Sequence, residues 1–363
     1  MAYTTIDDPS AYFQINTYTG DGNDDRNLVN TGNSDLQPDW VWIKCRSAAK
    51  GPNLFDSSRG TSAGLSTDNT NAEFSDGNRV QAFQTDGFQL GSNSNVNENT
   101  TTFVAWQWKA NGGTTTSQTG SDIDSVTQAN TTSKFAIITY TGASNADSDS
   151  DNNSGAYWRV KHGLGSTPKL AIFKKRSSSA AWYVWHHKIG GTQDQKYLQL
   201  QTTNAVATES DILFGNTDWS STEFEIGGWD VVNRDGTTYV AYMFDEIQGY
   251  SKFGSYTGNG NNDGPFVYTG FKPAWVMYKR SSDTGNWRIL DNQRNTFNPI
   301  NNEIYADLSN AEAQDTQMGF YANGFKLRNG SSVGQNGNGS TYIYIAFAEH
   351  PFVSSKGVPV TAR

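Results

Sequence analysis

Asp147, Asp149 and Asp151 alternate along one stretch of the chain. Carboxylates at that spacing match the first three oxygen ligands of a calcium loop. Asn152 stands where such a loop has its glycine and Trp158 where it has its glutamate, so a solvated hairpin loop is the competing expectation. Asp56 with Arg59, and Asp291 with Arg294, recur three residues apart after an apolar run. That spacing suits a local ion pair bracing a turn. It also suits a polar clamp on a sugar or a neighbouring subunit. Trp158, Trp182, Trp219 and Trp287 fall near loop or strand ends. An indole there can stack on a sugar face or anchor a protein contact. These four tryptophans and the two Asp–Arg pairs form the expected ligand-binding set.

Other chemistries find less material. Glycoside hydrolysis needs two carboxyl groups about 5–10 Å apart, and Glu73 with Asp86 or Glu312 with Asp315 are the available pairs. No phosphate-binding glycine loop sits between a strand and a helix. His186 and His187 are adjacent, so on a strand they point to opposite faces and cannot chelate one ion together. His162 precedes the apolar run of the same region. Cys45 lies between Lys44 and Arg46 inside an apolar run and reads as a packed thiol. A single cysteine forbids an intramolecular disulfide. The expectation is a protein that is not an enzyme and holds no cofactor, calcium excepted; a carbohydrate-active enzyme is the third alternative.

The elements that must position these residues are short and apolar. The chain has 363 residues, a net charge of −9 and only 17% charged residues, against 13% aromatic with 11 Trp. An acidic chain without a Lys/Arg cluster is a poor match for phosphate backbones, so no nucleic-acid partner is expected. No apolar run approaches a membrane span, and MAYTTIDDPS does not read as a secretory signal, so no membrane insertion is expected.

Internal repetition dominates the sequence. Tyr-Thr-Gly opens each copy, at Tyr18, Tyr140 and Tyr256. Each is followed by a proline and an apolar run ending in a lysine six residues after it: PDWVWIKCRS, PKLAIFKKRS and PAWVMYKRSS, giving Lys44, Lys174 and Lys279. Then come DGFQL, GGWDV and NGFKL, and finally FVAWQW, YVAYMF and YIYIAF. The runs are β-branched, aromatic and bounded by Gly, Asn, Asp or Ser, which is strand chemistry. In AWVMYK, Trp275, Met277 and Lys279 share one face, and Val276 and Tyr278 the other. The three lysines are expected to brace carboxylates. LFDSSRG and ILDNQRN agree in copies one and three, whereas copy two has VWHHKIG, with Val206 where the others have Glu73 and Glu312.

The expected fold is therefore all-β, with three tandem antiparallel β-sandwich modules of jelly-roll or concanavalin-like type. Module 1 covers residues 1–112, a Gly/Thr/Ser linker 113–133, the diverged module 2 134–249, and module 3 with a C-terminal tail 250–363.

Several segments carry a family resemblance: YTTIDDPSAYFQ, QPDWVWIKCRS, DGFQLG, VAWQWKANGG, HGLGSTPKLAIFKKRS followed by Trp182 and His186, and GYSKFGSYTGNGNNDGPFVYTGFKPAW. Over about residues 1–353 the chain resembles the repeated β-module virion proteins of marine tailed phages, the cyanophage-type tail-fibre, adhesin or head-decoration-like proteins. That resemblance implies concanavalin-like or jelly-roll modules, no established catalytic residues and a place on the virion. The expected role is a peripheral attachment component that binds host-surface glycan. A capsid decoration or cement protein is the alternative. The expected partners are other virion proteins and host glycan, with the chain a homo-oligomer in a surface-exposed position after assembly in the host cytoplasm.

Overall fold

The computed structural model describes residues 2–143, 156–190, 196–208, 213–215, 219–315, 318–330 and 332–360. The chain is mostly β, in antiparallel sheets. Each repeat builds one large sheet with the same central strand order. In the first, Phe13–Thr19 pairs with Thr102–Trp108, which pairs with Trp40–Cys45, which pairs with Asn53–Asp56. Phe135–Thr141, Thr238–Phe244, Leu170–Lys175 and Trp182–His186 repeat that order, as do Ser251–Thr257, Thr341–Pro351, Phe271–Arg280 and Arg288–Asp291. A small sheet of two or three strands accompanies each large one.

The segment expected to be a linker is part of the second sheet. Thr116–Gln118 pairs with Ser125–Asn130, and that strand pairs with Phe135–Thr141. Its alternation explains the difference: Ser125, Thr127 and Gln128 are buried while Val126 faces solvent. A strand edge satisfied by hydrogen bonds needs few apolar residues.

Both faces of each large sheet are apolar because both are covered. Val41, Ile43 and Cys45 join Phe88, Leu90 and Val80 in a core between the large and small sheets of repeat one. Val276 and Tyr278 do the same in repeat three with Phe325 and Met318. The opposite faces turn towards each other. Trp40, Trp42, Trp106 and Trp108 of the first repeat, Phe135 and Tyr242 of the second, and Trp275, Met277 and Phe347 of the third form one central cluster. Ring centroids meet across every junction: Trp40 to Tyr242 at 4.9 Å, Trp108 to Trp275 at 5.6 Å and Phe244 to Phe347 at 5.8 Å. The three repeats thus close into a ring around a shared aromatic core. Five of the tryptophans lie in this core or on the strands beside it, as their alternation predicts.

Tyr-Thr-Gly has a structural explanation. Tyr18, Tyr140 and Tyr256 stack on Phe103, Tyr239 and Tyr342 at 5.3, 5.2 and 4.8 Å, and their hydroxyls donate to the carbonyls of Val96, Val232 and Gln335. Those carbonyls belong to one-turn helices, Ser94–Asn97, Asp230–Asn233 and Val333–Asn336. The last residue of each is a buried asparagine whose side-chain oxygen accepts the N–H of Asp21, Ala143 or Asn259. The glycine of the motif lies against the same turn. A Cβ on Gly20, Gly142 or Gly258 would come within 2.1, 2.3 and 2.3 Å of a backbone oxygen.

Candidate ligand groove and inter-repeat seams

The Asp–Arg pairs form as expected but do not face solvent. Arg59 Nε donates to Asp56 Oδ2 at 2.5 Å, and Arg294 Nε to Asp291 Oδ2 at 2.7 Å, with all four side chains fully buried. Each pair then reaches into the next repeat. Arg59 Nη1 donates to Glu73 at 2.8 Å, and Arg176 of the second repeat donates to the same carboxylate at 2.8 and 3.0 Å. The Tyr242 hydroxyl donates to Asp56 at 2.6 Å. Between repeats three and one, Arg294 Nη1 donates to Glu312 at 3.0 Å, Arg46 donates to Glu312 at 2.9 and 3.0 Å, and Trp106 Nε1 donates to Asp291 at 3.0 Å. Asp56, Arg59, Asp291 and Arg294 are thus clamps between repeats rather than ligands for a sugar. The guanidinium groups of Arg59 and Arg176 hold Glu73 below the usual carboxylate range despite its burial. A general acid needs the opposite shift.

The lysines also act across the seams. Lys44 Nζ donates to the carbonyls of Ser309 and Asn310, Lys174 to Thr70 and Lys279 to Thr203, at 2.8, 2.9, 3.0 and 3.2 Å. Main-chain oxygens thus replace the expected carboxylates. Burial pulls each ammonium down to about 8.

Trp182 and Trp287 are sealed in the same junctions. Their indole N–H groups donate to Ser66 O at 2.9 Å and Gln199 O at 3.0 Å. Trp219 is buried among Phe173, Phe214 and Phe224. These three offer no face to a ligand, which corrects the expectation of stacking sites. Trp182 and Trp287 sit at strand starts that the neighbouring repeat covers, and Trp219 lies in the loop before Glu223–Ile226. Trp158 is half-buried against the core, opposite Ile226. Asp147, Asp149 and Asp151 lie outside the described residues. Among the described residues no three His, Cys, Asp or Glu side chains are grouped to hold a metal. His186 and His187 each bond a carbonyl of repeat three, Tyr344 O at 3.2 Å and Phe253 O at 2.6 Å. Cys45 is buried in the first repeat's core, and burial raises its thiol.

An open site lies elsewhere, on the third repeat. In repeat one, Arg59 leads directly into the strand Gly60–Leu65. In repeat three a polar loop intervenes before Ile304–Tyr305. Asn295 Oδ1 accepts the N–H groups of Asn301 and Asn302 at 3.1 and 2.7 Å and shapes that loop. Asn298 exchanges two 2.8 Å hydrogen bonds with the main chain of Phe320. The result is a groove of about 700 Å³ walled by Asn292, Gln293, Phe297, Asn298, Tyr321 and His350. Lys272 and Glu349, paired at 2.7 Å, line its floor. A hollow of about 200 Å³ continues to Gln14, Gly32 and Asn33 of repeat one. Phe297 is 84% exposed. Asn292 borders both hollows, and its side-chain oxygen is buried without a hydrogen-bond partner. Amides, an open ring and an ion pair can bind a polar ligand. The sequence reading missed this groove, although the extra residues between Arg294 and Ile304 mark it when the copies are aligned.

These observations define a mostly β protein of three repeats closed around one aromatic core, with an open groove on the third. The chain belongs to the family described as Domain of unknown function (DUF7483), whose model matches residues 8–351 and so spans the whole ring. No curated protein and no solved structure matches it.

Proposed function

We propose that this chain is a non-enzymatic structural protein of a phage virion, built of jelly-roll or concanavalin-like sandwiches and acting in host attachment through glycan binding. The place on the particle rests on the family resemblance of the repeats. The groove on the third repeat carries the binding part: it is open, amide-lined and flanked by the exposed ring of Phe297. Asp56, Arg59, Asp291, Arg294, Trp182 and Trp287 are occupied in the seams and Trp219 is buried within the second repeat, so the groove is where a glycan would go. Rigid β-modules without disulfides suit assembly in a reducing host cytoplasm followed by exposure.

The approximate three-fold arrangement favours a second reading, capsid decoration. A ring of three like repeats presents three similar outer surfaces around one axis, which matches a three-fold position on a shell. Gold-labelled antibody against the chain, imaged on intact particles, tests both. Label at the tail tip, with glycan-array binding abolished by Phe297→Ala, is the expected result. Label spread over the head favours decoration, and no label on any particle overturns the virion assignment.

A further inference from the structure

The outward face of the third repeat's small sheet differs in chemistry from the same face of the first. Phe266–Tyr268 pairs with Gly324–Leu327, which pairs with Met318–Tyr321. Val267, Phe325, Leu327, Met318 and Phe320 fill the core beneath. Alternation therefore places Phe266, Tyr268, Lys326 and Tyr321 outside. Phe266 is 46% and Tyr268 56% exposed. Two glycines let rings lie down on the sheet. A Cβ on Gly319 would come 2.7 Å from the Tyr321 ring, and one on Gly324 2.9 Å from the Phe266 ring. The bonds between Asn298 and Phe320 attach the groove loop to the edge of this sheet, and Phe297 and Tyr321 both line the groove. With strands about 4.8 Å apart, these rings cross the sheet and reach the groove.

The first repeat shows that the sheet needs none of these rings. Its outward face carries Val29 and amides: Gln84 and Gln89 donate to Asn27 Oδ1 at 2.7 and 3.2 Å. Asn27 and Val29 occupy the positions of Phe266 and Tyr268, since Leu28 faces Phe88 as Val267 faces Phe325. Clustered exposed rings on a scaffold that folds without them mark a contact surface. Charge narrows the ligand. Lys326 is paired with Asp263, and Lys272 with Glu349. Arg328 lies 5.6 Å over the Tyr321 ring and makes no ion pair among the described residues. A guanidinium held over a ring beside open stacking faces is placed to take a carboxylate or sulfate.

We infer that this face and the groove together bind an acidic polysaccharide. The apolar faces of successive sugar rings stack on Phe266, Tyr268 and Phe297, and Arg328, held at Tyr321, pairs with the anionic group. The Phe266 and Tyr321 rings lie 6.3 Å apart and are tilted by 56°, and with Tyr268 they line an open surface rather than the desolvated pocket that an anchor side chain of a protein partner fills. This inference rests on the glycan reading of the groove and specifies its ligand.

The test is calorimetric titration of the full chain with oligogalacturonate and with neutral maltohexaose. Oligogalacturonate is expected to bind at least about tenfold more tightly, a difference of about 1.4 kcal/mol. Arg328→Gln should remove that preference. Phe266→Asn with Tyr268→Val copies the first repeat, keeps the fold and should weaken oligogalacturonate binding about tenfold or more. Equal affinity for the two probes, no binding of either, or binding unchanged in the double variant overturns the inference. Binding of maltohexaose alone, lost in Phe297→Ala, overturns the acidic ligand and leaves the glycan groove standing.

Discussion

Two of the three seams are polar clamps and the third is not. Between repeats one and two, and between three and one, an Asp–Arg pair is joined by a glutamate to an arginine of the next repeat, with a tyrosine or tryptophan donating to the aspartate. At the equivalent positions between repeats two and three stand His186, Ile189, Val206, Ser281 and Ile345. The backbone contact survives the exchange. Val206 N donates to Ser281 O at 3.0 Å, as Glu73 N does to Arg176 O and Glu312 N to Arg46 O at 2.9 and 2.8 Å. So the geometry of closure is common to all three seams, and side chains only fill it. The clamp changes as a set because a buried charge left without its partner is costly, whereas a whole network can be exchanged for apolar packing.

The largest expected effect comes from breaking one clamp halfway. Arg294→Ala leaves Asp291 and Glu312 facing each other in the seam and should destabilise the chain by about 3–5 kcal/mol, read from urea denaturation. Arg59→Ala should behave alike. A five-residue graft of the apolar seam into the first one (Asp56→His, Arg59→Ile, Glu73→Val, Arg176→Ser, Tyr242→Ile) should cost far less than Arg59→Ala alone. A graft as damaging as the single change would refute the idea that the clamp is exchangeable as a unit.

Acid should separate the seams. Lys188 N donates to Nδ1 of His186 at 3.1 Å, and Nε2 faces Tyr344 O, so the ring fits as the neutral tautomer. Burial pushes its pKa down to about 3. The unfolded chain therefore takes up a proton near pH 6.5 that the folded chain refuses, and stability falls by up to about 1.4 kcal/mol per pH unit as pH drops from 6.5. The Glu73 clamp responds later. Its carboxyl is lowered in the fold, so its contribution persists down to the unfolded carboxylate range and is lost only below it. His162 and His187 are also lowered by burial, while burial raises Asp307 to about 7 and acts in the opposite sense. The difference between wild type and His186→Gln isolates the seam, and parallel pH–stability curves for the two between pH 4.5 and 6.5 would refute its role.

Smaller effects test the shared contacts. Lys174→Met or Lys279→Met leaves seam carbonyls without their donor and should cost about 1–3 kcal/mol in either kind of seam. Lys272→Gln, at a partly exposed pair on the groove floor, should change stability by no more than about 1 kcal/mol.

Legibility followed contact range. The alternation in AWVMYK correctly divides Trp275 and Met277 from Val276 and Tyr278, because a strand's two faces are set by neighbours in sequence. The spacing of Asp56 and Arg59 also predicts their bond, because three residues of turn suffice to make it. The partners of Lys44, Lys174 and Lys279 were not legible. They are main-chain carbonyls in another repeat, and a carbonyl carries no residue type to read. Trp182 and Trp287 look like loop-end aromatics for the same reason: what covers them arrives from a distant part of the chain.

By itself, then, the sequence determined three copies, their strands, the two apolar faces of each large sheet and the local Asp–Arg pairs. Periodicity and short-range chemistry suffice for those. Only the tertiary structure decided that the second apolar faces meet one another in a closed ring. It also decided that the clamps point inward and that the third repeat keeps an open groove and a row of exposed rings. Those outcomes depend on which surfaces cover which, and burial is a property of the assembled chain.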